Sequence, residues 1–403
     1  MNILVLSSVY HDSSLGNIDE STPIVNYFVC DWRRQGHKII VVHNAHRYPR
    51  IVHTLPKRVK KKFAAKLGFP IPDWTVVSEK SYIDQGVKVW RLPMLKLIPH
   101  QGHKGRNVDK QVGKIKAILK EDGFSPDVII GHWASPQMEI ISRLKDIYNC
   151  RTAVVLHGTG YIRDASFPAK EYLKKIDKLG ARSKTQAQKV KEILNLSETP
   201  FICYSGVPDE YLRNYTFDEH KFDKKPETWR FIYAGRLVKY KAIDKTLKAL
   251  SKLENQNYTF DIIGDGGEKE NLISLTKELC ISDKVTFHGR IPREEVLKYM
   301  RDAHVFILIS KGEIFGLVYL EAMAATCISI GSIGEGIDGV IEDGENGLLC
   351  EAQNVDALTK RLEWLMNCSL EELKLLAQKG YETAQNFADS KVAKRYLEDV
   401  MSI

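Results

Sequence analysis

The fold is decided by residues 304–332, HVFILISKGEIFGLVYLEAMAATCISIGS. An unbroken apolar run, VFILIS, is followed by a short polar loop, a helix-forming stretch, LVYLEAMAA, and a second apolar run, CISIGS. Strands without polar alternation are buried on both faces, and two of them joined through a helix read as neighbours in a parallel sheet. The spacing predicts a helix starting near Phe315 and Gly316, whose free amides would form an anion site at the end of the first strand. Glu313 would precede that site and Glu321 would lie inside the helix, on the order of 9 Å further along. The pair reads either as surface charge or as two grips on one extended ligand.

Strand and helix patterns alternate outward from this unit in both directions. Downstream of residue 229 the series is RFIYAGRL, AIDKTLKALSKLE, YTFDIIGDG, EKENLISLTKELC, KVTFHGR, REEVLKYMRDA and then the stretch above. Upstream, NILVLSS, HKIIVVHN, DVIIGHW and TAVVLHG are strands separated by amphipathic helices. The expectation is an α/β chain of two tandem Rossmann-like, doubly wound parallel-sheet domains with a ligand cleft between their carboxyl edges. The boundaries expected are an N-terminal domain over 1–206, a polar linker over 207–228, a second domain over 229–386, and a C-terminal helix over 387–403.

A chain of 403 residues suits two domains. Its seven cysteines are scattered without a CxxC pair and read as buried thiols of a reducing compartment. MNILVLSSVY has no basic leader and reads as a first strand, and no window reaches a membrane-spanning length, so a cytoplasmic protein is expected. The net charge of +8 is uneven, since residues 47–66 carry basic groups and no acid. In a helix, Val59, Phe63 and Leu67 would share one face, ringed by Lys57, Arg58, Lys60, Lys61 and Lys62. That pattern fits peripheral binding to an anionic inner membrane face, and equally a solvated basic face or a phosphate-binding acceptor loop. Nucleic acid is not expected as a partner, because no nucleic-acid motif accompanies the patch.

Several strand ends carry residues suited to chemistry. After RFIYA, Gly235 permits a close turn, and Arg236 and Lys241 read either as a cation pair suited to a diphosphate or as ordinary surface charge. Gly264 and Asp265 close another strand just before a helix, where glycine lets a ligand approach the backbone or simply makes a tight turn. Gly334, Gly336 and Gly339 spell GxGxxG, but a turn-rich stretch follows where the dinucleotide fingerprint needs a helix, so a nicotinamide cofactor is not expected. In the first half, His157 ends a strand where it reads either as a group that hydrogen-bonds a sugar hydroxyl or helps move a proton, or as a helix-capping or core histidine, and Gly16 lies in the loop after the first strand. His132 and Trp133 hold a similar edge position, with packing the simpler reading for the tryptophan.

Taken in order, GRLVKYK, GDGGE, VTFHGRIP, EIFGLVYLEAMA and DGENGLL, with LHG and YSGVPDEYL upstream, resemble the retaining glycosyltransferases of family 4, which have the GT-B fold. The resemblance implies transfer of a sugar from a nucleotide-sugar, a UDP- or GDP-sugar co-substrate, to a glycan or lipid-linked acceptor, commonly in surface polysaccharide biosynthesis. It implies that Arg236 and Lys241 neutralise the leaving diphosphate, that Glu313 holds the donor sugar, and that Phe315, Gly316 and Leu317 present backbone groups. It implies further that Glu321 binds ribose, that Arg290 and Ile291 meet the nucleobase, that His157 contacts the sugar, and that the last helix returns to the N-terminal domain. Many members read GGxxE where this chain reads GEGIDGV, so Glu335 and Asp338 carry no assigned role. No DxD triplet occurs, so the residues require neither a metal nor another cofactor. Two other readings stay open: an epimerase acting on the nucleotide-sugar itself, and a non-catalytic nucleotide-sugar-binding protein.

Overall fold

The structure is a computed structural model that describes residues 1–10, 24–56, 58–60, 77–96 and 102–402. The chain divides into two compact units. Unit 1 comprises Met1–Arg182, Gln186–Cys203 and Ala393–Ile403, and unit 2 comprises Ser183–Thr185 and Tyr204–Val392.

In unit 1 the strands are β1 (Asn2–Ser7), β2 (Lys38–His43), β3 (His46–Arg47), β4 (Lys80–Asp84), β5 (Val87–Arg91), β6 (Met94–Leu95), β7 (Val128–His132), β8 (Arg151–Leu156), β9 (Lys178–Ala181) and β10 (Phe201–Ile202). Eight of them form one sheet in the order β10-β9-β8-β7-β1-β2-β5-β4, and β3 pairs with β6. All neighbours in the large sheet are parallel except β4, which folds back on β5 through Gln85 and Gly86, both at positive φ. A turn with two left-handed residues matches the twist of a tight hairpin. Chain order reverses between β1 and β7, so their carboxyl ends flank the switch point of this sheet. The helix Asp389–Met401 closes the unit, because the Trp32 indole donates to the Ala393 carbonyl at 2.8 Å and the rings of Phe28, Trp32 and Tyr396 pack together.

Unit 2 holds β11 (Trp229–Ala234), β12 (Tyr258–Ile263), β13 (Val285–Gly289), β14 (Val305–Ile307), β15 (Ile328–Ser332) and β16 (Leu348–Cys350). They form one parallel sheet in the order β13-β12-β11-β14-β15-β16, the dinucleotide-fold order with its switch point between β11 and β14. Phe231, Phe260, Phe306 and Tyr319 are fully buried in its core, and such side chains contribute roughly 1.5–3 kcal/mol each. Ser369 and Glu372 form a capping box that starts the helix Leu370–Asn386.

The stretch 207–228, expected to be a linker, is instead part of unit 2. Val207, Tyr211 and Phe222 enter its core, and Asp209–Asn214 is helical. The Lys221 ammonium donates to the carbonyls of Ala303, Ala325 and Thr326 at 2.8, 3.1 and 3.1 Å, closing the ends of two helices. Polar composition concealed this, since three buried apolar residues and one half-buried cation tied to three carbonyls dock the segment. All seven cysteines are free, and Cys280 is exposed rather than buried. No described helix is long and apolar enough to cross a membrane.

Candidate functional site

The carboxyl edge of the unit 2 sheet is a rim of loops tied together by backbone hydrogen bonds. Gly235 N–H donates to Ile263 O at 2.9 Å, Gly264 N–H to Gly289 O at 2.7 Å, Leu237 N–H to Asp265 O at 3.0 Å and Lys311 N–H to Tyr240 O at 3.0 Å. The glycines are required by this closeness. A Cβ on Gly264, which has φ 137°, would lie 1.9 Å from the Gly235 oxygen, and one on Gly266 would lie 2.2 Å from the Leu237 oxygen. Gly235 and Gly264 therefore serve contacts between loops. Asp265 is exposed, and its carboxylate accepts from Gly266 N–H at 2.8 Å.

At the switch point the loops after β11 and β14 bring the predicted cations and carboxylate together. Lys241 donates directly to Glu313, with side-chain exposures of 12% and 14%, and Ser310 Oγ lies 3.4 Å from the same carboxylate oxygen. Arg236 is exposed, and its guanidinium lies 3.4 Å from the Tyr240 hydroxyl. The helix runs Leu317–Ala324 and starts at Gly316, in the left-handed region with φ 83° and no side-chain cap. Tyr319 fills the space that a Cβ on Gly316 would need and donates its hydroxyl to Leu308 O at 2.5 Å. Phe315 is buried against Tyr204, so its side chain belongs to the core and only its backbone can serve a ligand.

The GxGxxG segment has a structural task. Gly336 N–H donates to Glu313 O at 3.1 Å, Glu335 accepts from Gly312 N–H at 2.8 Å, and a Cβ on Gly336 would lie 2.4 Å from the 314–315 peptide. Asp338 accepts from Gly334 N–H at 2.6 Å and closes the turn. Glu335, 8% exposed, thus braces the loop that presents Glu313.

Glu321 is not free in this structure. Its carboxylate accepts from Arg293 Nε at 2.8 Å and from the Nη2 of the same guanidinium. Sequence reasoning missed Arg293, and the signal was an arginine opening the acidic first turn of Arg293–Asp302. Arg290 is exposed and Ile291 half-buried at the carboxyl end of β13.

In unit 1, His157 follows β8 and His132 ends β7, and the two imidazoles meet with Nδ1 of His132 3.0 Å from Nε2 of His157. Trp133 stacks on His157 at 3.9 Å between centroids and 16° between planes. Its backbone sits at φ 69°, costly for a non-glycine residue, while its N–H donates to Val155 O at 3.0 Å. Trp133 thus packs, face to face on the His157 ring, as the simpler reading expects. Burial, then the positive charge of Arg182, then His132, hold His157 well below the usual imidazole range. His132 is pushed down to about 3, by burial first and Arg182 second. Both imidazoles are neutral at pH 7. Of the basic patch, Arg58 is exposed and Lys60 is 9% exposed, whereas Lys57, Lys61, Lys62 and the loop glycine Gly16 lie outside the described residues.

Residues 214–383 match the family model described as glycosyl transferases group 1. An uncharacterized glycosyltransferase, MJ1178, of Methanocaldococcus jannaschii is 28% identical over 279 residues, covering 68% of this chain and 74% of that protein. The lipopolysaccharide core biosynthesis glycosyltransferase LpsE of Rhizobium meliloti is 23% identical over 288 residues, covering 71% of this chain and 78% of that protein. Among solved structures, Anabaena HepE in complex with UDP superposes with a TM-score of 0.67 at 15% identity, over 100% of both chains. The chain has the GT-B fold, with parallel sheets in two Rossmann-like halves, and is a glycosyltransferase.

Proposed function

We propose that this enzyme transfers a hexosyl group, with retention at the anomeric carbon and without a metal, from a UDP- or GDP-sugar to a glycan or lipid-linked acceptor in surface polysaccharide biosynthesis. The observation that carries the reading is the meeting of Lys241, Glu313 and an uncapped helix start beside Arg236 at one switch point. Arg236 and Lys241 take up the charge of the leaving diphosphate, and the helix amides share it. Glu313 exchanges Lys241 for the hydroxyls of the donor sugar, and Glu321 meets the ribose. Gly235, Gly264 and Asp265 shape the rim, Arg290 and Ile291 flank the base, and the backbone of Phe315, Gly316 and Leu317 lines the phosphates. His157 hydrogen-bonds the transferred sugar. LpsE supports the polysaccharide context through its likeness to this chain. Arg58 and Lys60, with the neighbouring lysines, are assigned to the acceptor or to an anionic membrane surface.

Thermal-shift screening of UDP- and GDP-sugars, then turnover with the best binder and NMR of the product anomer, tests the reading. The expected product keeps the donor's anomeric configuration, and its rate is unchanged by EDTA. An inverted product, or full activity of folded Arg236→Ala and Glu313→Gln proteins, overturns it.

A further inference from the structure

Beyond His157 itself, unit 1 holds a hydrogen-bonded series whose far end lies on the C-terminal helix. The Tyr396 hydroxyl is 3.3 Å from His132 Nε2, and His132 Nδ1 is 3.0 Å from His157 Nε2. His132 is 0% exposed, so both of its ring nitrogens are occupied by these two contacts. We infer that Tyr396 and His132 are positioning residues that lock His157 into a single neutral tautomer, with Nδ1–H as the donor offered to a ligand hydroxyl.

The inference follows from counting protons. A neutral imidazole carries one N–H and one lone pair, whereas a phenol always has a proton to donate. Among the described residues the Tyr396 hydroxyl has no partner but His132 Nε2. If Tyr396 donates there, His132 carries its own proton on Nδ1 and gives it to Nε2 of His157, which leaves the His157 proton on Nδ1. The reverse order would strand a buried hydroxyl proton, a penalty that disfavours it by roughly ten-fold or more.

The surroundings keep the series neutral and still. Arg182, 2% exposed, lies over the Phe28 ring at 5.8 Å and donates to Cys203 at 3.2 Å, so a fixed cation faces both imidazoles. Phe28 stacks near His132 at 6.1 Å and meets Tyr396 edge-on at 5.1 Å. Gln137 Nε2 donates to the His132 carbonyl at 2.7 Å and fixes its backbone. With Trp133 against its face, His157 has Nδ1 as its remaining polar atom. As an N–H donor, that atom can bind a sugar hydroxyl oxygen but cannot accept a proton, so His157 orients substrate and does not act as a general base.

The inference rests on the proposed role of His157 only for its catalytic meaning, so the test separates the two. Nitrogen-15 correlation spectra of the ligand-free protein, with His157 assigned by its loss in His157→Ala, report the tautomer directly. The expected wild-type spectrum shows the proton on Nδ1, and Tyr396→Phe mixes the two tautomers. Turnover of Tyr396→Phe is expected to fall about ten-fold in kcat with donor KM nearly unchanged. His132→Asn, which places an amide N–H where Nδ1–H stood, is expected to restore what His132→Phe loses. A wild-type proton on Nε2, or a Tyr396→Phe spectrum identical to wild type, overturns the inference. Full activity of His157→Ala with the tautomer as expected would instead overturn the catalytic reading of His157. Because the wild-type spectrum alone discriminates, misfolding of a variant does not protect the idea.

Discussion

The Lys241–Glu313 ion pair gives the strongest quantitative test of the site. At 12% and 14% side-chain exposure, each charge is largely removed from water and depends on the other. Replacing one member of such a pair leaves an uncompensated charge and costs about 3–5 kcal/mol, whereas replacing both with apolar groups is nearly neutral. Ser310 Oγ at 3.4 Å gives Glu313 a weak second partner, which places Lys241→Met near the lower end, about 3 kcal/mol. For a unit of this size that corresponds to roughly 10 °C in Tm. The assay is a double-mutant cycle of Lys241→Met, Glu313→Leu and the pair, followed by denaturant and thermal unfolding of unit 2. We expect two destabilised single variants, a double variant within about 1 kcal/mol of wild type, and no transferase activity in any of the three. Simple additivity of the two single effects would show that the pair is solvated and that the argument for a preformed, self-compensated site is wrong.

Gly264→Ala puts a Cβ 1.9 Å from the Gly235 oxygen at φ 137°, so it should destabilise unit 2 by about 3 kcal/mol or more and weaken nucleotide-sugar binding in calorimetry. Glu139, 2% exposed and hydrogen-bonded by Ser135 at 2.6 Å, has its carboxyl pushed up to about 7 chiefly by burial. Between pH 4.5 and 7 the folded protein therefore keeps a proton that the unfolded chain has lost, and unit 1 should lose about 3 kcal/mol across that window as pH rises. Glu139→Gln should flatten that slope in pH-dependent denaturation. Cys280, the exposed thiol, should be alkylated by iodoacetamide in the native protein well before the six buried ones, as read by mass spectrometry.

The second sheet was legible in the sequence because each of its strands is a continuous apolar run between helices, a pattern that survives without any knowledge of neighbours. Strand order was not legible, since β14 beside β11 joins residues more than 70 apart, as in the Ile232 to Phe306 register. The site divides in the same way. Gly235, Arg236, Lys241, Glu313 and Gly316 could be read from local spacing after strands. The partners that hold them could not: Arg293 on Glu321, Glu335 on the Gly312 amide, and Tyr396 on His132 are all contacts between distant segments. The left-handed backbone of Trp133 is a different case, because no residue pattern announces it. The 207–228 stretch shows the limit of composition, where a buried Phe222 and a Lys221 tied to three carbonyls stand among exposed charges.

The loop rim of unit 2 has a consequence for how specificity can change. Its loops are joined through main-chain amides and carbonyls, so their spacing does not depend on the side chains that point outward from them. Exposed positions such as Asp265 and Arg290 can be exchanged without rebuilding the frame, whereas the glycines that let the loops touch cannot. On the proposed function, a scaffold of this kind separates the residues that would choose a ligand from those that hold the loops together. Libraries aimed at a new donor should therefore randomise the first group and leave Gly235, Gly264, Gly266 and Gly336 fixed.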